Sequence, residues 1–290
     1  MPARLFAISD LHIGHRKNRE ALEQLEAREE DWLILGGDLG ETTEHLETVF
    51  SIVRHKFHTL FWVPGNHELW TTSDGLKGQE KYDRLIEICR EHDVHTPEDP
   101  YVTWGTGSQT RTIVPMFLLY DYSFAPQGLG PDEARAWAKE EGIVCSDERY
   151  IDPAPYATIQ EWCTERCDYT RKRLEQLDSG TPNVFVNHFP LRRDLVRLFR
   201  IPRFIPWCGT QITEDWHRQY NADVVVSGHL HMRATDWRDY VRFEEVSLGY
   251  PRHWDPNKTV NDYVRQILPY PDMKRRLEQT DGFGGPIWRR

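Results

Sequence analysis

Five short segments carry side chains able to hold a metal ion: Asp10-Leu11-His12, Gly37-Asp38, Gly65-Asn66-His67-Glu68, Asn187-His188 and Gly228-His229-Leu230-His231. A lone histidine after a strand is more often a hydrogen-bonded structural residue, so no segment decides anything alone. Taken in order they offer two carboxylates (Asp10, Asp38), four imidazoles (His12, His188, His229, His231) and one amide (Asn66). A set with no thiolate suits a borderline or hard divalent ion such as manganese, iron or zinc. Seven donors exceed the four of a structural zinc, and two ions are the natural count. His67, beside Asn66, is a candidate acid–base group, and Glu68 a partner that orients a ligand rather than a ligand itself.

Each of these segments closes a short apolar run, and the runs alternate with longer charged stretches, the rhythm of an α/β chain. The predicted strands are Arg4–Ser9, Trp32–Gly36, Thr59–Val63, Thr112–Leu118, Asn183–Asn187, Asp223–Ser227 and Val241–Leu248. The predicted helices are Lys17–Glu29, Thr43–Lys56, Gln79–Glu91, Pro131–Glu141 and Pro155–Leu177, with Pro131 opening the fourth and Gly142 following it. Pro126–Pro131 and Gly142–Pro155 read as long loops. Side chains from five strand ends can meet on one sheet edge, where sites of open α/β folds lie.

The chain has 290 residues, a net charge of −10 and thirteen histidines. Its length is compatible with a single domain over residues 1–290. The longest segment without Asp, Glu, Lys or Arg, Ser179–Leu191, is too short for a membrane helix. The N-terminal MPARLFAISD has no secretory pattern, and a cytoplasmic location is expected. Five cysteines, an odd number without a C-x-x-C pair, are expected to be reduced and structural. The acidity argues against broad nucleic-acid binding.

The ordered set D-x-H, G-D, G-N-H-E, H and G-H-x-H resembles the calcineurin-like metallophosphoesterase superfamily. The resemblance implies a four-layer αββα sandwich, two mixed β-sheets flanked by helices. It implies Asp10, His12 and His231 on one ion, Asn66, His188 and His229 on the other, Asp38 bridging, and His67 facing the substrate. Two ions with two carboxylates leave a local charge of +2, an anion trap in an acidic protein. Such a pair lowers the pKa of a shared water and polarises phosphoryl oxygens.

Longer segments, GNHELWTT (65–72), IVPMFLLYDYSF (113–124), NHFPL (187–191), WCGT (207–210) and VRFEEVSLGYPR (241–252), resemble the 4′-phosphopantetheinyl hydrolases of mycobacteria and related actinobacteria. That resemblance implies a holo-acyl or peptidyl carrier protein as substrate, its phosphopantetheine–serine diester being cleaved. It reaches to about residue 270, and the last twenty residues receive no role. Trp70, Tyr120, Asp121, Tyr122, Phe124 and Trp207 stand either as a wall for the pantetheine arm or as core residues. Arg192–Arg203 holds five arginines against one aspartate, and Arg192, Arg193, Arg197 and Arg200 are candidate docking residues for an acidic carrier. The rival reading is a phosphodiesterase or phosphomonoesterase acting on a small molecule such as a nucleotide. A protein phosphatase is disfavoured because no arginine follows Gly37-Asp38, a nuclease because the basic stretch is short, and a non-catalytic scaffold because every ligand position is filled.

Overall fold

A computed structural model describes residues 3–73, 75–255, 257–270 and 284–289. Numbered in chain order, the strands are β1 (Leu5–Ile8), β2 (Arg28–Leu35), β3 (Phe57–Trp62), β4 (Val94–His95), β5 (Val102–Trp104), β6 (Arg111–Pro115), β7 (Asn183–Val186), β8 (Ala222–Ser227), β9 (Ala234–Arg238), β10 (Val241–Glu245), β11 (Arg265–Leu268) and β12 (Gly284–Trp288). They form two sheets, ordered β11-β1-β2-β3-β4 and β12-β9-β10-β8-β7-β6-β5. The first is parallel except for β11. In the second, β6, β7, β8 and β10 run parallel while β5, β9 and β12 pair antiparallel. Both sheets are therefore mixed, as expected.

Strands buried on both faces explain the uninterrupted apolar runs in the sequence. Along β1, Leu5 and Ala7 point between the sheets, where they meet Ile34, Phe61, Ile113, Val184, Val186, Val224 and Val226. Phe6 and Ile8 point the opposite way, into the core shared with the helices, as the two-residue repeat of a strand requires. The helices are α1 (Arg16–Glu23), α2 (Thr43–Val53), α3 (Gly78–Glu91), α4 (Pro131–Lys139), α5 (Asp147–Tyr150), α6 (Ile159–Leu174) and α7 (Trp216–Gln219). Helix α2 buries Leu46, Val49, Phe50 and Val53, the spacing of one helical face, and α6 buries Trp162, Cys163, Cys167 and Leu174. All five cysteines are free and buried. Among the described residues no helix is long and apolar enough to cross a membrane.

Boundaries differ where local chemistry overrides pattern. The first helix stops at Glu23 rather than Glu29, because Arg28–Leu35 is a strand whose N-terminal end is partly exposed and so carries Glu29 and Glu30. The last long helix begins at Ile159 rather than Pro155, since the Thr158 hydroxyl accepts from the Glu161 N–H and caps it there. Strand β6 ends at Pro115, three residues before the expected Leu118. The segment Gly142–Pro155 is not all loop, for it contains α5. The short strands β4, β5, β9, β11 and β12 escaped the pattern because most are edge or near-edge strands with few apolar residues.

Candidate metal centre

The loops after β1, β2, β3, β7 and β8 meet at the carboxyl ends of these parallel strands, three from one sheet and two from the other. An isolated parallel bridge between Ser9 and Ser247 joins the two sheets at this edge. Turning a strand sharply back toward its neighbours takes unusual backbone. Asp10, His12, Asp38, His229 and His231 all have positive φ, between 41° and 71°. Non-glycine residues hold this conformation only where the surroundings impose it, and such strain gathers at functional sites. Two glycines are required by contact: a Cβ on Gly65 would lie 2.1 Å from Asp38 Oδ1, and one on Gly228 2.4 Å from Asp10 Oδ2.

All seven predicted ligands and His67 gather here. Three overlapping triads, Asp10/His12/His231, His12/Asp38/His67 and Asp10/Asp38/His188, each place one donor atom per residue within 4.8 Å of the others. Asp10 Oδ1 lies 2.9 Å from His231 Nε2, and His231 Nε2 lies 3.3 Å from His12 Nε2. His188 Nε2 is 3.4 Å from Asp38 Oδ2, while its Nδ1 donates to the Gly36 carbonyl at 2.9 Å. That bond holds Nδ1 as the donor and makes Nε2 the nitrogen a cation would meet once it gives up its proton. His229 Nδ1 is 3.2 Å from Asn66 Oδ1, which closes the set.

The residues fit divalent cations on their own chemistry. His188 Nε2 and His229 Nε2 are buried and have no hydrogen-bond partner. Asp10 and Asp38 are buried carboxylates, which need nearby positive charge. In the protein alone histidines supply it. Burial works against ionisation of Asp38, yet His188 and His67 hold its pKa well below the usual range. Burial likewise opposes protonation of His188, but Asp38 and Asp10 raise it to about 10. Burial and the nearby His188 push His229 down to about 3.

Supporting contacts come from residues outside the predicted ligand set, among them Asp147, Ser9, Ser247 and Glu245, to which the sequence alone assigns no role. Asp147, in α5, accepts from Asn66 Nδ2 at 2.9 Å and from Trp70 Nε1 at 2.7 Å. Asn66 is thereby turned with its oxygen toward the centre. Ser9 and Ser247 donate to Asp10 Oδ2 at 2.5 and 2.7 Å, and the Ser247 Oγ also touches one oxygen of Glu245, whose other oxygen accepts from the Met232 and Arg233 N–H groups. Glu68 orients backbone rather than an imidazole. Its two oxygens take the N–H groups of Asp38 (2.9 Å), Leu39 (2.6 Å) and Gly65 (2.9 Å), locking two ligand loops together. Burial and the Asp38 charge raise its pKa to about 7. His67 is stacked on Trp70 with 3.8 Å between ring centroids, and its Nδ1 lies 3.5 Å from Glu41 Oε1. Against the effect of burial, Asp38 and Glu41 raise it to about 9. Tyr250 stacks on His12 at 4.4 Å.

A cavity of about 590 Å³ opens onto Asp38, Asn66, His67, His229 and His231. Its apolar wall is formed by Leu198, Phe199, Ile201, Phe204, Leu230 and Met232. The wall is thus not built from the aromatic residues considered from the sequence. Tyr120, Tyr122, Phe124 and Trp207 are core residues, Asp121 accepts from Thr210 and from the Ser123 N–H, and Trp70 braces His67. The arginine-rich segment runs through two short 3₁₀ turns, Arg193–Leu195 and Pro202–Trp207. Arg192 pairs with Asp194 (2.9 Å), Arg197 grips Asp236 at 2.7 and 2.9 Å, and Arg203 pairs with Glu140 and Glu141. Arg193 and Arg200 are exposed.

Two packed mixed sheets with a dense carboxylate–histidine cluster at their shared edge define a metallophosphoesterase fold. Residues 3–233 match the calcineurin-like phosphoesterase family, and the chain belongs to it. It is 49% identical over 272 residues to the [acyl-carrier-protein] phosphodiesterase PptH of Mycobacterium tuberculosis, covering 92% of this chain and 84% of that one. The crystal structure of phosphopantetheinyl hydrolase (PptH) from the same organism superposes with a TM-score of 0.88 at 47% identity, over 94% of this chain and 98% of that one.

Proposed function

We propose that this chain hydrolyses the phosphodiester joining 4′-phosphopantetheine to the serine of an acyl or peptidyl carrier protein, returning the carrier to its apo form. The observation that carries this reading is the 49% identity to an acyl-carrier-protein phosphodiesterase across 92% of the chain. In this reading Asp10, His12 and His231 would hold one divalent ion and Asn66, His188 and His229 the other, with Asp38 as the seventh ligand. When bound, the ions (manganese or iron, with zinc as an alternative) supply a lowered pKa for a water and polarisation of the phosphoryl oxygens.

His67 serves the leaving group. Its Nδ1 faces Glu41, 3.5 Å away, which leaves Nε2 on the reacting side and favours a protonated ring. As the bond from phosphorus to the serine oxygen breaks and a water oxygen bonds to phosphorus, His67 gives a proton to the departing serine oxygen, a poor leaving group without one. The stack on Trp70 keeps the ring from swinging away. The apolar wall of the cavity gives the pantetheine arm a surface to lie on.

Of the four candidate docking arginines, Arg193 and Arg200 present their side chains to a carrier, while Arg192 and Arg197 shape the surface through Asp194 and Asp236. Five free, buried cysteines suit a reducing cytoplasm, where such a carrier would be met. The test is incubation of a holo-acyl carrier protein with the enzyme and Mn²⁺, read by intact mass. Loss of one phosphopantetheine with the wild type and none with Asp38→Asn is expected. An unchanged carrier, with turnover of a small phosphoester, would overturn the carrier reading.

A further inference from the structure

The cavity that opens onto the metal-binding edge is lined by three arginines, Arg197, Arg200 and Arg252. Arg200 and Arg252 both line the cavity and both are exposed. Among the described residues neither has a carboxylate partner, and the Arg252 head lies over the Tyr250 ring, 4.8 Å from its centroid. Arg192, Arg197 and Arg203, by contrast, are each tied to an acid. In a chain with ten more acids than bases, Arg200 and Arg252 stand exposed on the lining of one cavity.

The ligand cluster would meet the reacting phosphate, and Arg200 and Arg252 add two further cations to the same cavity, where the Arg252 head lies over Tyr250, the ring that stacks on His12. A second anion on the substrate is what they would meet. The pantetheine arm itself is uncharged between its phosphate and its thiol, so that anion has to come from the other side of the diester, the protein bearing the serine. Phe199, 80% exposed, and Ile201 flank Arg200 and offer that protein an apolar contact.

We propose that Arg200 and Arg252 form an anion subsite for a carboxylate of the carrier protein beside the modified serine, so that the enzyme selects a protein-borne diester over a small one. The inference rests on the carrier reading above. Arg252 comes from a segment remote in sequence from the arginine-rich stretch, so the subsite exists only in the fold.

The experiment compares kcat/KM on a holo-acyl carrier protein and on bis(4-nitrophenyl) phosphate for the wild type, the double variant Arg200→Glu/Arg252→Glu and the milder Arg200→Gln/Arg252→Gln. Metal content and circular dichroism serve as folding controls. The charge-reversed variant is expected to lose about tenfold or more on the carrier beyond whatever it loses on the small diester, mainly through KM, with the difference shrinking at high salt. A carrier whose acidic residues flanking the serine are changed to amides should lose a similar factor on the wild type and little further on the variant, since the two changes remove one interaction. Equal losses on both substrates, or fully additive losses, would overturn the subsite while leaving the carrier reading intact. A wild type that turns over only the small diester would overturn both. If the variants instead lost activity selectively on a nucleotide carrying a second phosphate, the anion would belong to a small molecule and the proposal would fail.

Discussion

Removing the Asp147 carboxyl tests whether ligand orientation is set from outside the cluster. Asp147 is 1% exposed, and one of its oxygens accepts from both Asn66 Nδ2 and Trp70 Nε1. An amide has its oxygen on one side and nitrogen on the other, so holding the nitrogen decides which atom a cation meets. In Asp147→Ala two donors lose their acceptor, each loss costing about 1–3 kcal/mol where water does not replace it. The Asn66 amide is then free to turn its NH₂ toward the centre, where it cannot coordinate. Losing a partner of this kind weakens metal affinity by roughly 10–100-fold. Calorimetric titration of the metal-free protein with Mn²⁺, together with ions counted per chain by mass spectrometry, should show one ion bound almost as before and a second weakened by that factor. The metal-free protein should also melt several degrees lower. Asp147→Asn keeps an oxygen able to accept both hydrogen bonds and should stay within a few-fold of wild type. Two ions bound to Asp147→Ala with undiminished affinity would refute the reasoning.

His67→Ala should lower kcat on a serine diester by about 10²–10⁴-fold without changing metal content, and by much less on a nitrophenyl ester, whose leaving group needs no proton. An equal loss on both substrates would remove the proton-donor role. His188 is raised to about 10 by the buried aspartates, so at pH 7 it carries a proton that an incoming cation must displace. Manganese uptake should therefore release protons and tighten as pH rises, and calorimetry in buffers of different ionisation enthalpy would show no buffer dependence if this is wrong. On β10, buried Glu244 pairs with Arg242, Arg265 and Arg289 at 3.3, 2.9 and 2.5 Å. Burial opposes its ionisation, but Arg289, Arg242 and Arg265 hold its pKa below the usual value, so its stabilisation is full above the unfolded pKa near 4.5 and fades as pH falls through the lowered one. Glu244→Gln should cost about 3–5 kcal/mol at neutral pH by leaving these cations without their counter-charge, and the gap to wild type in thermal melts should close in acid.

The ligand set could be read from the chain because each donor stands directly after an apolar strand. Where strands are parallel, their carboxyl ends share an edge, so order and spacing alone bring Asp10, Asp38, Asn66, His188 and His229 together. The two glycines in G-N and G-H are equally legible as positions where a side chain would strike Asp38 or Asp10. Strands β5, β9 and β12 were not legible, because their stability comes from pairing with neighbours rather than from their own composition. The last twenty residues, to which the sequence assigned nothing, include one of these. In β12's wake, Arg289 reaches back to Thr235, Glu244 and the Glu245 carbonyl, while the stretch 271–283 lies outside the described residues.

The sequence by itself determined the class of chemistry: the donors, their order and the strand ends that carry them are local properties of the chain. Tertiary structure decided what surrounds them. Asp147 lies beyond two helices in sequence from Asn66, and Glu41 and Tyr250 reach His67 and His12 only once the strands are paired. The arginine-rich segment makes the division clear. Its charge was countable from the chain, but which arginines remain free depends on acids at positions 140, 141 and 236, brought alongside by folding. A charge is a property of a residue, whereas its availability is a property of its neighbours, and neighbours far apart in sequence are chosen only by the fold.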